Sequence, residues 1–243
     1  MYRLAYLVWF KKRRLCYILL ITAWTTGSPQ ILAAETIKGT VRFAGPALQQ
    51  KTVPTTIDQY ICGKEKLAED LILSADKGIR NAVVSLAKPP ALELKEPVPA
   101  TVELDQKECT FVPHVVVASI NNPVLFLNTD RLLHNLHSTS KSNPRFNRAQ
   151  PKGRTIQVTF KVPEIIQIEC DLHTWMSAWV VVGDHPFYAV TNEQGAFVLD
   201  NIAPGSYTLR IWQESLGTVT KEITVAPKVG ADVMIEVSEP KLR

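Results

Sequence analysis

The stretch EIIQIECDLHTWMSAWVVVG, residues 164–183, decides how the rest of the chain reads. EIIQIEC (164–170) and AWVVVG (178–183) are short runs rich in apolar and β-branched residues, the composition of strands. The loop between them places Cys170, His173 and Met176 within seven residues. Thiolate, imidazole and thioether are soft ligands, and together they select copper over magnesium, calcium or manganese.

Strand-like runs recur outward from this point, at TIKGTVRFAG (36–45), NAVVSLA (81–87), FVPHVVVAS (111–119), PVLFLNTD (123–130) and TIQVTFKV (155–162). Proline, glycine and asparagine punctuate them, and many short strands between turn residues argue for an all-β sandwich or barrel. One short helix is expected at KEKLAEDLI (64–72). A second β block follows Gly183. AVTNEQGAFVLDNIAPGSYTLRIW (189–212) reads as three strands broken by turns at Gly195 and at Pro204–Gly205, and TKEITVA (220–226) and ADVMIEV (231–237) add two more. About 60 residues is thin for an independent core, so this block is expected to pack on the first or to borrow a strand from it. The expected organisation is a signal peptide over 1–34, a β-sandwich over 35–183 and a small β module over 184–243, with a less regular segment, 46–80, that is either an insertion or a cap over the site.

The formal charge is +4, but five of the 27 basic residues lie within 1–34, which holds no acid. The remainder has 22 basic against 23 acidic residues, so no nucleic-acid footprint is indicated. KKRR (11–14), the apolar run LCYILLITAW (15–24) and small residues up to Ala34 have the layout of a secretory signal. The apolar run is too short to cross a bilayer comfortably, so no membrane span is expected once the signal is removed. The protein is therefore expected in the periplasm or outside the cell, an uncleaved N-terminal anchor being the lesser alternative.

Export changes the reading of the cysteines. Cys16 leaves with the signal, and Cys62, Cys109 and Cys170 remain, an odd number for an oxidising compartment. Two can pair. A Cys62–Cys109 bridge would close a loop worth about 4 kcal/mol on the chain-entropy model and would leave Cys170, in the opening stretch, as the odd thiol. A free thiol outside the cytoplasm is a liability unless something such as a metal occupies it.

All five histidines fall between 114 and 185. His134 and His137, in LLHNLHS (132–138), follow a predicted strand and its NTD turn, and their spacing of three puts them on opposite faces of a strand. A trigonal His₂Cys set with a weak axial Met is the arrangement of a blue-copper electron-transfer site. LLHNLHS paired with CDLHTWM (170–176) resembles the cupredoxin family, the plastocyanin-like group in particular, over roughly 110–183. The resemblance implies a Greek-key β-sandwich, with His134, Cys170, His173 and Met176 as copper ligands. Asn135 would tie the two ligand loops together by hydrogen bonds, and His137 is a candidate ligand or outer donor. Leu172 and Trp175 would form an electron-exit patch. Only two residues separate His173 from Met176, fewer than in typical plastocyanins. VTNEQGAF and IAPGSYTLRIW in the C-terminal block resemble a carboxypeptidase regulatory-like β-sandwich, an Ig-like module with no catalytic role. The combination resembles bacterial periplasmic proteins grouped as methylamine-utilisation-like.

Each of these residues has a plainer reading. Cys170 could be a buried thiol and Met176 a core side chain. His114 reads as structural and His185 as a turn residue. Lys141, Arg145, Arg148, Lys152 and Arg154 lie in a loop without acids, which is either a solvated connection or a docking face for an acidic redox partner. HExxH, GxSxG and P-loop patterns are absent and no carboxylate pair stands out, so neither an enzyme nor a small-molecule substrate is expected. The expected function is mononuclear copper electron transfer with a redox partner protein. The alternatives are a non-redox binding or assembly module and a Cu(I) storage or delivery protein.

Overall fold

The computed structural model describes residues 34–90 and 101–239. The expected signal over 1–34 lies outside them, apart from Ala34. Among the described residues the chain is all-β, with eighteen strands and one four-residue helix, α1 (Gln59–Cys62).

Two sheets face each other around the first core. One runs in the order β10 (Asn147–Gln150), β9 (His134–Ser138), β12 (Glu164–Glu169), β13 (Ser177–Gly183), β7 (Val115–Ser119). The other runs β11 (Ile156–Thr159), β8 (Pro123–Asn128), β5 (Val102–Lys107), β6 (Thr110–Val112). The two-residue period of β8 turns Val124 and Phe126 inward, where they meet Leu104, Leu136, Ile166, Ile168 and Val180. β7–β13 and β5–β8 are parallel, and the other pairings of these two sheets are antiparallel. β5 lies in TVELDQK, where the alternation is too polar to have marked a strand.

The second core lies between a sheet ordered β15 (Ala196–Ile202), β1 (Glu35–Phe43), β18 (Ala231–Val237) and one ordered β14 (Tyr188–Val190), β4 (Val83–Leu86), β16 (Gly205–Gln213), β17 (Gly217–Val225). The division at 183/184 expected from sequence does not follow these sheets. β1 pairs parallel to β18 and antiparallel to β15, and β4 sits between β14 and β16. Both sheets of the C-terminal sandwich thus take an inner strand from upstream, and the first sandwich is inserted between β4 and β14. The physical reason is area: the C-terminal block alone buries too little apolar surface, and Ile37, Val41, Val84 and Leu86 supply what it lacks.

The two sandwiches meet through Val83, Val115 and Val181, with Trp179 and Trp212 packed edge-on at 5.0 Å. All four residues of β4 are buried, so the strand carries no polar alternation. Buried at this junction, His114 is hydrogen-bonded through Nε2 to Glu214, which also accepts from Trp179 Nε1, and its Nδ1 is 3.7 Å from Glu69.

The helix expected at 64–72 is absent. Gly63, at φ +82°, ends α1, and Glu65–Leu67 (β3) pairs instead with Thr52–Pro54 (β2). Cys62 is bonded to Cys109, as the cysteine count had suggested. The bridge pins this segment to the first sandwich, and that constraint overrides the weak helical propensity of the sequence after it.

Burial disfavours the charged form of His114, but the bond to Glu214 and the charges of Glu214 and Glu69 outweigh it and raise its pKa. Arg80 and Lys66 face the cluster only through Glu69. A raised histidine pKa stabilises the fold below the unfolded value of about 6.5, and the contribution disappears as pH rises through the folded value. The stability gap between the wild type and His114→Gln in urea unfolding should therefore be largest below the unfolded value of about 6.5 and shrink as pH rises above it. A gap independent of pH would show that His114 acts by packing alone.

Candidate metal centre

β9 and β12 are antiparallel neighbours, so the start of one lies beside the end of the other. Their ladder closes at Glu169↔His137, and beyond it a side chain replaces the backbone partner. Asn135 Oδ1 accepts the N–H of Asp171 at 2.7 Å, while its Nδ2 donates to Asn147 and to Asp171. The two loops are thereby stitched at the sheet end. The Cys170–Met176 loop closes on itself: Cys170 N donates to Met176 O, and Met176 N to His173 O. Met176 is therefore held at the level of Cys170 in the same core.

His134, Cys170 and His173 converge. The two Nδ1 atoms are 2.9 Å apart, and Cys170 Sγ lies 3.8 Å from that of His134 and 3.6 Å from that of His173. These separations define a point about 2.0 Å from all three atoms, close to the 2.0–2.3 Å bonds of imidazole and thiolate to a first-row metal such as zinc. The residues fit an ion. His137 is not among them: it points outward and binds Asp171 Oδ1 at 2.9 Å, as alternation along β9 requires. His114 and His185 also lie elsewhere, His114 at the junction of the sandwiches and His185 stacked on Tyr188.

Two carboxylates complete the cluster, and sequence reading named neither. Asp130 Oδ2 is 2.9 Å from His134 Nε2, and Asp58 Oδ2 is 3.0 Å from His173 Nε2. A carboxylate only accepts, so both rings carry their proton on Nε2 and turn Nδ1 toward the thiol. Asp130 was within reach of a sequence argument, four residues before His134 in the NTD turn. Asp58 was not, because 115 positions separate it from His173. His173 is itself only 1% exposed, and Trp175 is half-buried with its indole N–H on Cys109 O, leaving Leu172 as the exposed member of the expected exit patch.

Burial opposes charge at Cys170, His134 and Asp130, yet the hydrogen bonds prevail. Burial would raise the Cys170 thiol, but bonds from His134, the Asn135 region and His173 bring it down to about 7. Burial would lower His134, but the bonds to Asp130 and Cys170 take it up to about 9. Asp130 would be raised by burial, but the bonds from His134 and from the N–H groups of Cys109 and Glu108 lower it. Two imidazole nitrogens 2.9 Å apart repel unless a proton lies between them. With its pKa raised to about 9, His134 carries a second proton at neutral pH, and because Nε2–H is given to Asp130 that proton lies on Nδ1, between the rings, where an ion would sit.

No protein-family model and no curated protein sequence matches the chain. Among solved structures the chain is similar to a copper-containing nitrite reductase from Thermus scotoductus SA-01, at 21% identity and a TM-score of 0.34, over 41% of this chain and 26% of that one. It is similar to a purple cupredoxin from Nitrosopumilus maritimus, at 17% identity and a TM-score of 0.30, over 34% of this chain and 99% of that one. It is also similar to amicyanin from Paracoccus versutus, at 16% identity and a TM-score of 0.32, over 41% of this chain and 97% of that one. The chain thus spans about a quarter of the nitrite reductase. These neighbours are cupredoxins, matched over less than half of this chain.

Metal uptake should displace the proton between the rings. At about pH 8, below the His134 value and above that of Cys170, loading the apo protein with Cu(I) is expected to release about one proton. Calorimetry in buffers of differing ionisation enthalpy measures this, and uptake without proton release would contradict the shared-proton geometry.

Proposed function

We propose that this protein is an exported mononuclear copper protein that carries single electrons, in which His134, Cys170 and His173 would hold the ion and Met176 would supply a weaker fourth donor. The observation that carries this reading is the convergence of two imidazole Nδ1 atoms and one thiol, buried, on a point of metal-bond reach. A trigonal His₂Cys set beside a methionine is soft and favours copper. When bound, the ion supplies a one-electron couple. The chain's part is to hold the donors still: Asp130 and Asp58 orient the rings, and Asn135 locks the loops. Donors fixed in advance move little between oxidation states, and small reorganisation favours fast electron transfer.

All four side chains are buried, which supports a carrier rather than an enzyme, since a catalytic metal keeps a position open to substrate. Location in the periplasm or outside the cell is part of the proposal, and so is a redox partner protein. Among the described residues no helix is long and apolar enough to cross a membrane. Lys141, Arg145, Lys152 and Arg154 in the loops beside β10, and Arg148 on β10 itself, which interrupts the single loop expected from sequence, form no ion pair among the described residues, which supports docking to an acidic partner. The second sandwich is read as the non-catalytic carboxypeptidase regulatory-like module. Complete burial of His173 also favours a second reading, storage or delivery of Cu(I), in which a closed site retains the ion.

Titrating the protein with Cu(II) should give a strong thiolate-to-copper visible band, an EPR signal near one copper per chain and a reversible one-electron wave. Cys170→Ser should abolish the band. Tight Cu(I) without any oxidised form would favour delivery, and absence of stoichiometric copper would refute the metal reading.

A further inference from the structure

Asp58 opens α1 in the left-handed region, at φ 49°, ψ 30°. An aspartate at this position ordinarily caps its own helix by accepting an N–H of the first turn. Here its side chain makes no capping bond; only its backbone carbonyl accepts the N–H groups of Ile61 and Cys62. The carboxylate instead crosses to His173 Nε2. A non-glycine residue held in this region costs free energy, and the conformation persists because its surroundings fix it. Those surroundings are specific. Gln59 Nε2 donates to Thr55 O and Thr55 Oγ1 to Gly63 O, which closes the turn. Cys62, at the end of the turn, is bonded to Cys109, and Lys66 Nζ donates to Glu108 O.

The other side of that bridge leads to the second histidine. The N–H groups of Glu108 and Cys109 donate to the two oxygens of Asp130, which holds His134. Cys109 O accepts the indole N–H of Trp175, inside the ligand loop. A continuous path therefore runs from His173 through Asp58, α1, the disulfide and Asp130 to His134. Resting on the metal-centre reading above, we propose that Thr55–Cys62 is a latch over the metal centre, in which Asp58 is a positioning residue that fixes the tautomer of His173 and slows exchange of the copper ion with solution. His173 would be the natural door to the site, as the ligand on the loop nearest exposed Leu172, and Asp58 and the turn behind it cover that ring. The latch makes Thr55–Cys62 the capping part of segment 46–80, with the bridge keeping Asp58 within bonding distance, whereas Leu71, Leu73 and Ile79 of the same segment pack in the second core.

The test uses the full protein and two variants. Asp58→Ala removes acceptor and charge; Asp58→Asn keeps an oxygen that can accept Nε2–H. Release of copper from the Cu(I) form to a chromogenic chelator such as bicinchoninate should be about 10–100-fold faster in Asp58→Ala, with most of the loss rescued in Asp58→Asn. Independently of copper, long-range ¹H–¹⁵N spectra of the apo protein should show His173 protonated on Nε2 in the wild type, and a mixture of tautomers in Asp58→Ala. A disulfide and fold unchanged by thiol assay and circular dichroism separate this effect from unfolding. The inference is overturned if Asp58→Ala leaves both the tautomer and the release rate within about twofold of the wild type. A wild type that takes up no copper overturns the metal-centre reading instead, and the tautomer spectrum, which needs no metal, distinguishes the two failures.

Discussion

Two imidazoles and a thiol lie buried together at the end of a β-sandwich, and their mutual repulsion has to be relieved. Burial of polar nitrogen and sulfur is costly unless each is bonded. The outer nitrogens are satisfied by Asp130 and Asp58, which leaves the inner ones facing each other at 2.9 Å. Only a cation can sit between such lone pairs, a proton in the free protein or a metal ion in its place. The second-layer hydrogen bonds, the closed ligand loop and the disulfide are all consequences of keeping that arrangement in register.

The scaffold supports this by stacking four sheets. The five-stranded sheet carries the ligands on one face and packs its other face, through Trp179, against Trp212 and the strands around β4. β13, immediately after the ligand loop, is thus packed on both faces. Inserting the first sandwich between β4 and β14 also means that the second cannot complete its sheets without chain on both sides of the insertion. The two sandwiches are therefore coupled by connectivity as well as by contact, and His114 with its carboxylates lies at that seam.

Most strands were legible because alternation and β-branched runs mark them directly, as in PVLFLNTD and ADVMIEV. The separation of His134 from His137 was also legible, since a strand's period of two sets their faces. Other features were hidden for identifiable reasons. β5 is too polar to stand out, and KEKLAEDLI has a spacing compatible with a helix although pairing with Thr52–Pro54 makes its start a strand. Asp58 carries no local signal at all: only the fold, with the disulfide holding its segment in place, brings it to His173.

By itself, the sequence determined the all-β class, the short loop bearing Cys170, His173 and Met176, and a spare thiol once Cys62 and Cys109 pair. Local spacing and cysteine parity are properties of the chain, and they survive any arrangement of the sheets. Tertiary structure decided which sandwich each strand joined, which histidine faced the thiol, and which carboxylates oriented the rings. Apart from Asp130, four residues before His134, those outcomes depend on contacts between residues distant in the chain, 36 positions apart for His134 and Cys170 and 115 for Asp58 and His173, which become neighbours only after buried apolar area has selected the sheet order.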